Sequence, residues 1–277
     1  MNETHLQNRV GTELTALQQS PDSLVVQPRG FQDGEIKRNS KTKNISITCG
    51  LSIRGVQISG NRFVVWGSNA AEVYEVIDDE MKQVSTFRCS GGPMAIRDSN
   101  LFVVEEGRVD VCTLQGKKQD SLSFSETEGL PRHIDIHGNL MAIATKEGTL
   151  KIYDVSRKGA ARQLGSSARF VDAVGKSLGN ITQIKVNCDG TRIAILAEEE
   201  NSLSFTREPS TQLYVYNSEM NGVISHNFGP KRYPHSVQWD RHEQKLLACE
   251  AIKVPGYVEP RSSKPTTTSE QVRRTYH

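Results

Sequence analysis

Short apolar runs, each introduced by a polar turn residue, recur along this chain. Asn61 opens Asn-Arg-Phe-Val-Val-Trp, Asn100 opens Asn-Leu-Phe-Val-Val-Glu and Asn139 opens Asn-Leu-Met-Ala-Ile-Ala, 39 residues apart each time. The same slot returns at Thr191 (Thr-Arg-Ile-Ala-Ile-Leu) and at Gln244 (Gln-Lys-Leu-Leu-Ala-Cys), after intervals of 52 and 53 residues. A repeat of this length marks one supersecondary unit used several times over.

The segments around each run read as strands. Before the runs lie Ile53 to Ile58, Pro93 to Arg97, Arg132 to Ile136, Ile181 to Val186 and Ser236 to Trp239. After them come strands of alternating apolar positions, from Glu72, Arg108, Leu150 and Leu213, and period-two alternation places one face inward and the other less so. Gly107 and Gly148 stand where tight hairpin turns are needed. A fourth, more polar strand is expected at Lys82 to Arg88, Gln119 to Phe124, Arg162 to Gly165 and Val223 to Phe228.

Four antiparallel strands in roughly forty residues is the blade unit of an all-β propeller. Four units read as complete from Ile53 onward, and a fifth begins near Ser236 and stops near Cys249. Upstream, Leu14 to Gln18, Leu24 to Gln27 and Ile45 to Cys49 supply most of another, so the terminal blades read as partial and the propeller as incomplete. The long later intervals are assigned to insertions at 165–180 and at Glu198 to Thr211. The expected organisation is a flexible tail over 1–11, a propeller region over 12–254, and a disordered tail, rich in Pro, Ser and Thr, over 255–277.

Composition narrows the functional classes. Thirty-four Lys and Arg against 32 Asp and Glu leave a net charge of +2, so no whole-molecule field draws the chain to nucleic acid or an anionic membrane. Hydrophobic residues at 36% and charged residues at 24% fit a modest core with polar loops. No segment has the apolar length of a membrane span or of a signal peptide, and the chain reads as soluble and intracellular. Five cysteines, Cys49, Cys89, Cys112, Cys188 and Cys249, are scattered through apolar runs and read as buried, reduced thiols. The sequons at Asn2, Asn44 and Asn180 would matter only in a secreted protein.

Candidate chemistry is sparse. His133, Asp135 and His137 alternate along one strand, which puts two imidazoles and a carboxylate on one face, a zinc-like or catalytic polar centre; the competing reading is a strand with a hydrogen-bonded polar face. Cys188-Asp189-Gly190 reads as a hairpin turn rather than a reactive thiol, and Gly91-Gly92 lacks the spacing of a phosphate loop. No Gly-x-Ser-x-Gly elbow is present. The basic run Lys37, Arg38, Lys41, Lys43 and the acidic run Glu198 to Glu200 read as solvated loops, and Trp66 and Trp239 as core. No catalytic, cofactor or metal residue is assigned, and partner-binding residues are left unassigned.

Four segments are more specific than a generic propeller. They are Asn100-Leu-Phe-Val-Val-Glu-Glu-Gly-Arg-Val-Asp-Val, Phe124-Ser-Glu-Thr-Glu-Gly129, Tyr153-Asp-Val-Ser-Arg157 and Trp239-Asp-Arg-His-Glu-Gln-Lys-Leu-Leu-Ala-Cys-Glu-Ala251. Over about Leu14 to Ala251 the chain resembles the intraflagellar transport protein 140 family of ciliary complex A subunits. The resemblance implies a WD40-like propeller and a non-enzymatic scaffold role in retrograde transport and cilium assembly. It also implies contacts with other complex A subunits and ciliary cargo, and residence in the cilium, at its base and in the cytoplasm. The family pattern continues into helical repeats and carries another propeller upstream, so the sequence reads as a fragment. Tyr153-Asp154 and Tyr216-Asn217 stand where Trp-Asp pairs are usual. Two rivals stand beside this reading: a propeller enzyme centred on His133, Asp135 and His137, and a phospholipid-binding propeller using the 37–43 loop.

Overall fold

Among the described residues six antiparallel sheets follow one another, each built from consecutive strands. A computed structural model describes residues 8–10, 14–20, 22–28, 45–78, 80–169, 180–187, 189–198, 211–220, 222–228, 233–240, 245–251 and 272–276. The first sheet comprises β1 (Asn8–Val10), β2 (Leu14–Ser20), β3 (Ser23–Pro28) and β4 (Ile45–Thr48). The second holds β5 (Gly55–Ser59), β6 (Arg62–Trp66), β7 (Ala70–Ile77) and β8 (Glu80–Arg88). The third holds β9 (Met94–Arg97), β10 (Asn100–Glu105), β11 (Arg108–Thr113) and β12 (Lys118–Ser123). The fourth holds β13 (Pro131–His137), β14 (Leu140–Thr145), β15 (Thr149–Asp154) and β16 (Arg162–Arg169), and the fifth β17 (Asn180–Val186), β18 (Arg192–Glu198), β19 (Thr211–Asn217) and β20 (Gly222–Asn227). The sixth has β21 (Tyr233–Trp239), β22 (Leu246–Ala251) and β23 (Val272–Tyr276). No helix occurs among the described residues, and none there is long and apolar enough to cross a membrane.

The chain divides into two compact units, Met1–Ile134 with Asp154–Arg162, and Asp135–Tyr153 with Gln163–His277. In the first, β6 explains the recurring apolar run. Phe63 and Val65 pack with Cys49, Ile53, Val56, Tyr74 and Val76 on one side. Val64 and Trp66, the alternate positions, pack with Met94, Ile96, Leu101 and Val103 of the third sheet on the other. A strand covered on both faces needs no polar alternation, so it reads as continuous apolar sequence. Phe63 also stacks on its cross-strand partner Tyr74 at 5.2 Å between ring centroids.

The second unit repeats the device. In β18, Ile193, Ile195 and Ala197 join Ala142, Ala144, Leu150, Ile184 and Tyr214, while Ala194 and Leu196 join Val237, Leu246 and Ala248 of the sixth sheet. Each fully buried Ile, Leu or Val among these contributes about 1.5–3 kcal/mol, and each Ala about a third of that or less. The fourth strands are polar because they lie at the sheet edge: β8 has exposed and half-buried residues and no fully buried one.

The turns obey the same economy. Gly107 and Gly148 adopt φ of 74° and 82°, the left-handed conformation the expected hairpins require. Asn61, in the β5–β6 turn, is tied to β7 by donating from Nδ2 to the Val76 carbonyl at 3.1 Å, and Arg62 beside it pairs across the strands with Glu75 at 2.7 Å.

Beyond shifts of one to three residues at strand ends, three differences from the sequence reading change the organisation. The fourth sheet's outer strand runs to Arg169 rather than Gly165, because Ala168 packs on the core that Ile184 and Tyr214 share, which leaves 170–179 of the expected insertion outside the described residues. Two strands fall within the segments read as tails. Asn8–Val10 pairs with β2, and Val272–Tyr276 pairs with β22 through registers such as Leu246↔Tyr276, because an edge strand offers unpaired backbone groups to any segment that can reach it. The rest of both segments lies outside the described residues.

Candidate functional site

His133, Asp135 and His137 lie on β13, as read from the sequence, but Asp135 is committed elsewhere. It is 4% exposed. Lys185 Nζ donates to its Oδ1 at 2.6 Å, and the Val186 amide donates to its Oδ2 at 2.9 Å. A buried carboxylate whose two oxygens already hold an ammonium and an amide is a tie between β13 and β17. Among the described residues no group of three or more His, Cys, Asp and Glu is placed to hold a metal ion.

The tie continues outward. The Gln183 Oε1 accepts from the Val237 amide at 2.6 Å, and Trp239 Nε1 donates to the Lys185 carbonyl at 2.8 Å, so side-chain bonds join β17 to β21 beside the apolar layer that β18 and β19 share with β21 and β22. Trp239 is thus a half-buried anchor, and Trp66, 7% exposed, is core.

The third strands hold polar residues that alternation alone marks as outward-facing. Glu72, Asp110, Lys151 and Gln212 are between 6% and 9% exposed. Glu72 Oε1 accepts from the Gly50 amide at 3.2 Å, and its Oε2 accepts from the Tyr74 hydroxyl. Gln212 likewise accepts from the Tyr214 hydroxyl. The signal available in sequence is the tyrosine two residues on, because positions i and i+2 share a strand face. Asp110 takes Lys118 at 2.8 Å, Arg108 at 2.9 Å and Ser121 at 3.0 Å. Burial opposes its charge, yet those three donors prevail and hold its carboxyl below the usual carboxylate range.

Cys49 and Cys112 are poorly placed to act as nucleophiles. Cys49 and Cys112 are buried, and Cys89 and Cys249 are partly so; all four are unbridged. Burial, helped by the Glu72 carboxylate, pushes Cys49 up to about 11, and burial with the charge of Asp110 pushes Cys112 up to about 11 as well. A thiol so raised holds little nucleophilic thiolate near neutrality. Cys188 lies outside the described residues, as do Lys37 to Lys43, Glu199 and Glu200. The turn expected beside Cys188 is present: Asp189 Oδ1 accepts from the Thr191 amide at 2.9 Å, and Gly190 has φ of 75°.

The surface feature that stands out belongs to the fifth sheet. Met220, 74% exposed, caps the β19–β20 turn, and Ile224, 76% exposed, stands on the edge strand β20. Asn217 fixes that turn, its Oδ1 accepting from the amides of Glu219 at 2.9 Å and Met220 at 3.1 Å. Two large apolar side chains held out on one ordered hairpin are suited to contact with another protein. No sequence pattern distinguished Ile224 from its half-buried neighbour Val223; only the packing does.

Comparison with known proteins completes the picture. A family model described as the IFT140 second β-propeller matches residues 12–231. Among solved structures the chain is similar to Hsv2 of Kluyveromyces lactis, with TM-score 0.58 and 8% identity over 88% of this chain and 69% of that one. It is similar also to the Cps50 (Swd1) β-propeller domain of Myceliophteria thermophila, with TM-score 0.58 and 8% identity over 86% of this chain and 77% of that one. Sqt1 of Saccharomyces cerevisiae gives TM-score 0.55 and 10% identity, covering 86% of this chain and 65% of its own. At such identities the likeness to these structures is one of fold.

Proposed function

The chain belongs to the IFT140 second β-propeller family, and from that premise we propose that it is a non-enzymatic scaffold of intraflagellar transport complex A. It serves retrograde transport and cilium assembly by holding complex A subunits and ciliary cargo, and it works in the cilium, at its base and in the cytoplasm. The propeller region, 12–254, is the binding body.

The observation that carries this reading is the family match over 220 residues, running from 12 to 231. Two features of the molecule support it. Two buried carboxylates of the sheets are held by other side chains, Asp135 by Lys185 and Glu72 by Tyr74. Apolar side chains face outward on the fifth sheet's edge at Met220 and Ile224, which we take as the contact point for a neighbouring subunit.

Mixing the purified chain with purified complex A subunits, followed by size-exclusion chromatography, tests the proposal. One or more subunits co-elute with the chain, and a Met220→Asp, Ile224→Asp double variant that keeps its β-sheet circular dichroism binds about tenfold more weakly. Absence of co-elution with every subunit would overturn the scaffold assignment. Unchanged affinity of the double variant would overturn the placement of the contact.

A further inference from the structure

The segment Phe124-Ser-Glu-Thr-Glu-Gly129 is not required by the sheets it connects, and its side chains form a built turn. The amides of Glu128 and Gly129 donate to the Ser125 carbonyl at 3.0 and 3.1 Å. Glu128 Oε2 in return accepts from the Ser125 amide at 2.8 Å and from the Ser125 hydroxyl at 3.0 Å. The carboxylate thus reaches back to the Ser125 amide as the acidic residue of a capping box does, and the turn is closed from both ends. Ser125, Glu126 and Thr127 are all exposed.

We propose that Ser125 is a phosphate-acceptor site for a serine/threonine kinase that selects carboxylates downstream of its acceptor, and that modification opens the turn. Among the described serines and threonines, Ser123 and Ser125 alone have a carboxylate three residues on, Glu126 and Glu128 respectively. Ser123 lies within β12, paired with Arg108, where the backbone is held in the sheet. Ser125 lies beyond the last pair, carries a second carboxylate at the next residue, Glu126, and its amide and hydroxyl bond within the turn, to Glu128 and Thr127.

In the transfer, Ser125 Oγ attacks the γ-phosphorus of a magnesium-bound nucleoside triphosphate. The Oγ–P bond forms, the bond from phosphorus to the β–γ bridging oxygen breaks, the nucleoside diphosphate leaves, and the hydroxyl proton passes to the kinase's base carboxylate. The product places a charge of about −1.5 to −2 where the hydroxyl now donates to Glu128. Ser125 loses its donor and faces a carboxylate of like charge, so Glu128 leaves the Ser125 amide and the turn unlocks.

The test uses the full chain, magnesium ATP and a purified kinase of this acidic-directed class, with sites mapped by tandem mass spectrometry. The expected result is phosphate on Ser125, absent from Ser125→Ala, retained in Thr127→Ala, and reduced about tenfold in Glu126→Gln, Glu128→Gln, in which the selecting charge is gone. No phosphate on Ser125, or full incorporation by the doubly neutralised variant, overturns the site. Hydrogen exchange of the modified chain reads the switch: the amides of Ser125, Glu128 and Gly129 exchange faster than in the unmodified chain, and unchanged exchange overturns the opening.

Discussion

The ammonium of Lys185 stands 2.6 Å from Oδ1 of Asp135, on a side chain 17% exposed against one 6% exposed, and joins the first strands of the fourth and fifth sheets. Removing one partner leaves an uncompensated charge in a poorly solvated place, which costs about 3–5 kcal/mol for a buried pair. Asp135→Ala is therefore expected to lower stability by about 3 kcal/mol, whereas Asp135→Leu with Lys185→Met costs much less than the sum of the two single changes. Urea unfolding of the four proteins in a double-mutant cycle reads both numbers. Additive losses would show that the two side chains do not work as a pair.

Gly190 is fixed by two requirements at once. Its φ is 75°, and a Cβ there would lie 1.7 Å from Leu140 Cδ1. Gly190→Ala is expected to cost about 1–3 kcal/mol, and adding Leu140→Ala recovers the part due to the clash while opening a cavity of its own. Thermal unfolding of the three variants separates strain from contact, and a neutral Gly190→Ala would contradict the packing of that turn.

The raised thiols give a pH dependence with a defined sign. In the unfolded chain Cys49 and Cys112 lose their protons near 9, and in the folded chain near 11. Over that window the unfolded state binds fewer protons, so stability is full below pH 9 and falls as pH rises toward 11. Cys49→Ala with Cys112→Ala flattens this part of the curve. A thiol-exchange reagent at neutral pH is expected to reach both cysteines at the rate of global unfolding; fast labelling of either would contradict their burial.

How much of this was legible in the sequence depended on which neighbours decide each feature. The runs after Asn61, Asn100 and Asn139 were readable because the strands they open are covered on both faces, and a continuous apolar run needs no knowledge of the partner sheet. Alternation, which only counts positions, turns Glu72 and Gln212 outward, whereas they are buried with the hydroxyls of Tyr74 and Tyr214 as partners and, for Glu72, the Gly50 amide. For His133, Asp135 and His137 alternation along one strand leaves two readings, a metal-like trio or a hydrogen-bonded polar face, and Asp135 follows the second. Its actual partners, Lys185 and Val186, lie 50 and 51 residues away. The outward placement of Ile224 beside half-buried Val223 had no signal at all, since both are aliphatic residues on one edge strand.

The central claim, that this propeller is a complex A scaffold, is tested most directly by affinity purification of the chain from ciliated cells with quantitative mass spectrometry of what accompanies it. The account predicts enrichment of complex A subunits over a propeller of unrelated family, with that enrichment lost when Met220 and Ile224 are both replaced by Asp. Recovery of the chain without any complex A subunit would contradict it.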